Sequence, residues 1–192
     1  VNGVRKQQAI DILDVATGTG DVAIALSSIS SVRIEAVDLS TQMLAVQAKQ
    51  LDKLQLNERI KLQVADAEKL PFKEQFDAVT VAFGIRNFAN LDKGLSEMFR
   101  VLHPNGCLYI LETSRPKKFP MKQAHYIMSN VIIPPLGKVF AEDKSAYAYL
   151  GESATHFPDG KVMCNKLQEI GFTKVTHRPL NGGVVSLYVA QK

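Results

Sequence analysis

Three aspartates, Asp14, Asp38 and Asp66, stand at or just past the ends of three strand-like stretches, residues 10–15, 32–38 and, alternating, 59–64. Behind the first lies the turn Ala16-Thr17-Gly18-Thr19-Gly20-Asp21, which opens into the alanine-rich, helix-compatible run Val22-Ala23-Ile24-Ala25-Leu26. Glycines remove side chains where a ligand approaches the backbone, and a helix start offers unpaired N–H groups. A strand, a glycine turn and a helix in that order therefore suit a nucleotide-like ligand. Gly18-x-Gly20-x-x-Ala23, with Asp38 as a ribose acid about 20 residues on, also meets the dinucleotide fingerprint and by itself leaves NAD open.

The acids choose between nucleotides. A carboxylate at Asp14, ahead of the turn, would repel a pyrophosphate but attract an ammonium group. Asp38 is placed to accept two ribose hydroxyls, and Asp66 to accept an adenine amino group while the backbone of Ala67 serves a ring nitrogen. Each acid alone also reads as an ordinary helix cap. Together, on one edge of a sheet, they suit a ligand with a positive charge and many donors, as a sulfonium cofactor has.

The elements that must position these residues follow from periodicity. Strands are expected at 10–15, 32–38, 59–64, 76–83 and 107–112, and helices at 21–28, 41–54 and 91–102. Met43, Leu44, Gln47, Leu51 and Leu54 share one face of the second helix, with Ser40 or Thr41 to cap it. His103-Pro104-Asn105-Gly106 is expected to stop the third. Residues 115–150 contain no obvious strand. A helix over 158–170, closed by Gly171, then precedes strands at 172–177 and 184–190, joined closely enough for an antiparallel pair. The expected fold is α/β, a doubly wound, mainly parallel seven-stranded sheet with a C-terminal antiparallel hairpin. A helical insertion after strand 5, about 116–150, sits within one domain spanning 1–192.

Composition limits the alternatives. At 192 residues and 46% hydrophobic content the chain can bury one large core. No apolar run approaches the ~20 residues that span a bilayer, and no signal peptide opens the chain. A formal charge of +4 does not indicate a nucleic-acid binder. Cys107 and Cys164 have no metal-ligand spacing and read as reduced thiols, so no metal is expected and a reducing cytoplasm is. The nine residues before residue 10 leave no room for a leading helix of normal length, as in a minimal domain or a piece of a longer chain.

Several motifs together resemble the UbiE/MenG family of quinone C-methyltransferases, within the class I S-adenosylmethionine-dependent methyltransferases. They are Asp14-Val-Ala-Thr-Gly-Thr-Gly-Asp21, Ala65-Asp-Ala-Glu-Lys-Leu-Pro-Phe72 and Ala82-Phe-Gly-Ile-Arg-Asn-Phe88, with Arg100-Val-Leu-His-Pro-Asn-Gly106 and Leu111-Glu-Thr-Ser-Arg-Pro116. Tyr147-Ala-Tyr-Leu-Gly-Glu-Ser153 and Gly182-Gly-Val-Val185 extend the similarity to nearly the whole chain. The first two motifs are widespread among methyltransferases; Phe83-Gly-Ile-Arg-Asn87 is specific to this family.

The resemblance implies a Rossmann-like fold and methyl transfer from S-adenosyl-L-methionine to a ring carbon of a polyprenylated quinol, leaving S-adenosyl-L-homocysteine. Demethylmenaquinol to menaquinol is the first expectation and the C-methylation step of ubiquinone biosynthesis the second. Another small-molecule substrate, and a nucleotide-binding module without activity, are the remaining alternatives. Cofactor contacts carry over onto Thr19, Asp38, Asp66 and Ala67, with Asp14, Thr17, Gly18, Gly20 and Met43 around them. The contact on the fourth strand, often a serine, is here Ala82, which keeps a backbone contact and loses a hydroxyl one.

For catalysis, Arg86 is the candidate stabiliser of the quinolate, or else half of a salt bridge that fixes the turn after the fourth strand. Asn87 would hydrogen-bond the ring oxygen or hold the loop. The candidate proton acceptors are His125, His156, Tyr126, Tyr147 and Tyr149; His156 ranks first among the histidines, or is simply a hydrogen-bonded histidine at a helix start. Tyr126, Ile127, Met128, Val131, Ile132 and Ile133, with Leu136, Val139 and Phe140, could line a prenyl channel, and Lys117, Lys118 and Lys122 could touch anionic headgroups; the alternative is an ordinary helix pair packed on the sheet with solvated lysines. The expected setting is the cytoplasm with peripheral contact at the inner face of the membrane, without nucleic acid and compatible with a homodimer.

Overall fold

The computed structural model describes residues 1–7, 10–114, 116, 123 and 157–192. Helix α1 (Asn2–Gln7) precedes β1 (Asp11–Val15), α2 (Asp21–Leu26), β2 (Arg33–Asp38), α3 (Thr41–Leu54), β3 (Ile60–Val64) and β4 (Phe76–Ala82). A 3-10 turn, Ile85–Asn87, leads to α4 (Leu91–Val101), β5 (Leu102–Thr113), α5 (Lys161–Ile170), β6 (Thr173–Leu180) and β7 (Val185–Gln191). The expected helical insertion and His156 lie outside the described residues, apart from Pro116 and Gln123.

The seven strands form one sheet in the order β3-β2-β1-β4-β5-β7-β6. β1 pairs in parallel with β2 and β4, and β4 with β5. β7 inserts antiparallel between β5 and β6. This is the doubly wound, mainly parallel sheet with an antiparallel C-terminal pair that the sequence predicts. The strand order reverses between β1 and β4, and open α/β sheets bind ligands in the crevice at that point.

Strand alternation divides the core in two. Leu13, Val15, Val79, Val81, Leu108 and Ile110 meet Leu95 and Met98 of α4 and Met163 and Leu167 of α5. On the other face Ile12, Ile34, Ala36 and Ala78 pack with Ala23 and Leu26 of α2, Leu51 of α3 and Val4 of α1. Coverage on both faces explains why β1 is apolar without alternation. Of the two proposed caps for α3 it is Ser40 that acts, its hydroxyl accepting from Met43 N–H at 3.2 Å.

Two boundaries differ from expectation. Residues 103–106 do not form a separate stop; α4 ends at Val101 and the chain enters β5 directly at Leu102. Pro104 disfavours helical geometry at His103, and a register shift between Phe76 and Ala78 absorbs the extra residues. Gly106 is required there, since a Cβ would stand 2.9 Å from the His103 carbonyl. The last helix starts at Lys161, because Gly160 adopts φ 58°, ψ −121° and donates its N–H to the Tyr188 hydroxyl at 2.7 Å.

Candidate active site

The turn between β1 and α2 reverses by placing Ala16, Gly18 and Gly20 at positive φ, 51°, 58° and 94°. The two glycines serve different ends. A Cβ on Gly18 would meet nothing within 4 Å, so its bare backbone faces open space. A Cβ on Gly20 would lie 2.5 Å from the Gln47 side chain, so this glycine is needed for packing against α3. Helix α2 is only six residues long, which leaves the turn itself as the recognition element.

Asp38 closes the turn from the neighbouring strand. Its carboxylate accepts from Gly18 N–H at 2.9 Å and from Ser40 N–H at 2.8 Å, tying the turn to the cap of α3. A carboxylate has about four acceptor positions, so two backbone donors leave room for ligand hydroxyls. At the next strand end Asp66 is exposed, with one oxygen accepting Glu68 N–H at 2.8 Å, and Ala67 beside it is buried. Met43 is exposed on the first turn of α3, 47% accessible, on the same edge. Thr19 is half-buried, its hydroxyl 3.5 Å from Asp21.

Asp14 behaves otherwise than a free strand-end acid. It is 2% exposed, and its two oxygens accept the Thr17 hydroxyl at 2.7 Å and the Thr80 hydroxyl at 2.5 Å. Burial pushes its carboxyl up to about 6 against those two hydrogen bonds. The expected attraction of a ligand ammonium therefore has no exposed carboxylate behind it; Asp14 supports the turn from below. Gln47, fully buried, completes this network by donating to the Thr17 hydroxyl at 3.4 Å, and its Oε1 has no partner among the described residues.

The turn after β4 touches the turn after β1, since a Cβ on Gly84 would stand 2.5 Å from the Ala16 Cβ. Ala82 ends β4 there and Asn87 is exposed. Of the two readings of Arg86, the structure displays the salt bridge: Nη2 lies 2.9 Å from Glu112 Oε1, and Nη1 donates to the Thr113 hydroxyl at 2.9 Å. Burial raises the Glu112 carboxyl, opposed by the Thr113 N–H and the Arg86 charge.

Sequence reasoning had quoted Glu112 only within a motif. Its parity with Leu108 and Ile110 is the signal that would have turned it inward. Thr80 had no such signal, because its role follows from strand order. His177 lies on β6, stacked on Tyr188 with ring centroids 4.8 Å apart. Cys107 and Cys164 are half-buried free thiols, both raised by burial, which disfavours reactive thiolate.

Comparisons with known proteins bear on the fold and the family. Solved structures share the fold: a SAM-dependent methyltransferase from Aquifex aeolicus superposes with TM-score 0.68 at 19% identity, covering 95% of this chain and 81% of its own. A phosphoethanolamine N-methyltransferase from Haemonchus contortus, solved with S-adenosyl-L-methionine, gives TM-score 0.68 at 17% identity over 95% of this chain and 48% of its own. Sequence relatives are nearer. A demethylmenaquinone methyltransferase from Bacteroides fragilis is 45% identical across the whole chain, which covers 79% of that relative. Its Porphyromonas gingivalis counterpart is 41% identical over 94% of the chain and 75% of its own length. A ubiquinone/menaquinone biosynthesis C-methyltransferase from Photorhabdus laumondii is 37% identical over 97% and 75%. With residues 1–192 all matching its family model, the chain belongs to the ubiE/COQ5 methyltransferase family.

Proposed function

We propose that the chain methylates a ring carbon of a polyprenylated quinol from S-adenosyl-L-methionine, with demethylmenaquinol as the substrate. The carrying observation is the Gly18–Asp38 contact at 2.9 Å, a bare-backbone turn closed by a carboxylate with spare acceptor capacity. The residues fit the cofactor: open space over Gly18, Asp38 for ribose hydroxyls, and Asp66 with Ala67 for adenine. Met43, Thr19 and Ala82 flank them. Asp14, Thr17 and Gln47 hold the turn in shape.

When bound, S-adenosyl-L-methionine supplies an already activated methyl carbon, which leaves the protein alignment, ionisation of the quinol and exclusion of water. Arg86 and Asn87, on the turn that abuts Ala16, are the residues for the quinol oxygen. Demethylmenaquinol is placed first because relatives of that name match at 45% and 41% identity, above the ubiquinone/menaquinone enzyme at 37%. Among the described residues no helix is long and apolar enough to cross a membrane. Peripheral contact through Lys117, Lys118 and Lys122, cytoplasmic location and a homodimer remain parts of this proposal.

The test presents the natural full-length protein with methyl-labelled S-adenosyl-L-methionine and, side by side, demethylmenaquinol and a demethylated benzoquinol. Label on the naphthoquinol supports the reading. Label on the benzoquinol alone moves the assignment to the ubiquinone step. Transfer to neither, or calorimetric binding of NAD in place of the sulfonium, overturns it.

A further inference from the structure

Glu112 is the penultimate residue of β5, on the face covered by α4 and α5, and its side chain is 1% exposed. Its partners within hydrogen-bond distance act on one oxygen, and the Arg86 backbone N–H adds a weaker favourable contact to the carboxylate. Oε1 receives Arg86 at 2.9 Å, Thr113 N–H at 2.7 Å and the Thr113 hydroxyl at 3.3 Å, whereas Oε2 is buried and receives no hydrogen bond. A structural arginine–carboxylate pair commonly closes with two parallel hydrogen bonds. This one leaves a desolvated acceptor open beside the turn that carries Arg86 and Asn87, and leaving such an acceptor empty costs stability.

We propose that Glu112 is the proton acceptor for the quinol hydroxyl, taking the proton on Oε2 while Arg86 shifts its pairing to the oxygen that has lost it. This rests on the quinol reading above. The hydroxyl O–H bond breaks, a new O–H bond forms on Oε2, and the electron pair left on the quinol oxygen conjugates into the ring. The ring carbon then bonds to the methyl carbon as the donor's carbon–sulfur bond breaks with its pair going to sulfur. Rearomatisation returns the Glu112 proton to the oxygen and releases the ring proton to water, one net proton per turnover.

The charges support the exchange. Before transfer Arg86 faces a carboxylate; afterwards it faces a quinolate beside a neutral acid, so no net charge is created in the buried site. Burial raises the Glu112 carboxyl, which brings its affinity for a proton nearer to that of a phenol. Among the described residues Arg86 is the charged group acting on it. Ser186 is its register partner on β7, followed on the same face by His177, whose Nε2 lies 2.8 Å from the Ser186 hydroxyl, and by Tyr188. The ion-paired charges of α4 and α5, Asp92 with Lys166 and Glu97 with Arg100, are engaged with one another.

The experiment compares kcat against pH for the full-length parent and Glu112→Gln, with demethylmenaquinol and with a halogenated analogue whose hydroxyl is already ionised at neutral pH. The expected result is ~100-fold loss of kcat in the variant on demethylmenaquinol, with the parent's lower inflection gone and S-adenosylhomocysteine affinity kept. On the ionised analogue the loss should shrink to a few-fold. A variant within about threefold of the parent, or equally impaired on both quinols, overturns the assignment. If Glu112→Gln does not fold, the parent alone decides: the inflection must appear with demethylmenaquinol and vanish with the ionised analogue, and an inflection with both refutes the proposal. A parent inactive on every quinol refutes the quinol reading instead.

Discussion

Asp14 on β1 and Thr80 on β4 are register partners, and the Thr80 hydroxyl donates to the Asp14 carboxylate at 2.5 Å beneath the glycine turn. The acid is desolvated, and its carboxyl is pushed up to about 6. The folded chain therefore binds more protons than the unfolded chain between about pH 4 and 6, and stability from this group falls as pH rises through that window. The full cost above the window is about 3 kcal/mol, roughly half of it present by pH 5. Asp14→Asn mimics the protonated acid, because a threonine hydroxyl can donate or accept. Urea unfolding should find the variant more stable than the parent at pH 7.5 by about 1–3 kcal/mol, with the difference closing near pH 4. A difference that does not change with pH would remove this account.

The glycines of the turn separate folding from binding. Gly18→Ala meets empty space and pays only the left-handed backbone, about 1–2 kcal/mol, yet puts a methyl where the ligand approaches. Gly20→Ala meets the same backbone cost and also drives into Gln47, which is fully buried. Thermal melting with calorimetry on S-adenosylhomocysteine should show Gly18→Ala folded and weak in binding, and Gly20→Ala markedly less stable. Equal melting temperatures would contradict the assigned roles.

The parallel core was legible because strands covered on both faces read as mainly apolar runs, as Ala78 to Ala82 does. The strand-end acids Asp38 and Asp66 were legible because each follows directly on a strand-like stretch, Asp66 on one that alternates rather than runs apolar. What stayed hidden depends on strand order. Asp14 is legible as a strand-end acid, whereas its burial and its donor Thr80 appear only once β4 is placed next to β1. Arg86 carries two readings in the sequence, and its ion pair with Glu112 becomes visible only once β5 stands beside β4. The start of β5 was misplaced because proline and glycine usually end elements, and here a bulge opposite Phe76 and Ala78 carries them through.

Asp38 is the acid whose loss should act on binding more than on folding. It is half-buried, and its two backbone donors, Gly18 and Ser40, lie at the turn and at the cap of α3. Asp38→Asn keeps one acceptor and removes the charge. Hydrogen bonds to a charged group are worth about 1.5–3 kcal/mol, so affinity for S-adenosylhomocysteine should fall roughly 10- to 100-fold. Asp66→Asn, on an exposed side chain, should cost less. Calorimetry on the three proteins checks the ranking, and a larger effect at Asp66 would reverse the assignment of ribose and adenine sides.

Arg86 and Glu112 form an ion pair with side-chain exposures of 11% and 1%, so removing one partner strands the other. Arg86→Gln leaves a buried carboxylate without its cation, at a cost of about 3–5 kcal/mol. That loss depends on pH in a defined direction. Without Arg86 the Glu112 carboxyl rises further above its unfolded value, so the deficit is smallest in acid and grows as pH rises through the folded value. Arg86→Lys keeps a charge but loses the planar fork that reaches Glu112 and Thr113 together, and should fall between parent and glutamine. In the double variant Arg86→Gln/Glu112→Gln neither charge is stranded, so its stability should exceed the additive expectation by about 1–3 kcal/mol. Urea unfolding of the parent, of the single variants Arg86→Gln, Arg86→Lys and Glu112→Gln, and of the double variant at pH 5 and pH 8 measures both effects. Additive losses, or an Arg86→Gln deficit equal at the two pH values, would mean that the pair is not coupled in the folded chain.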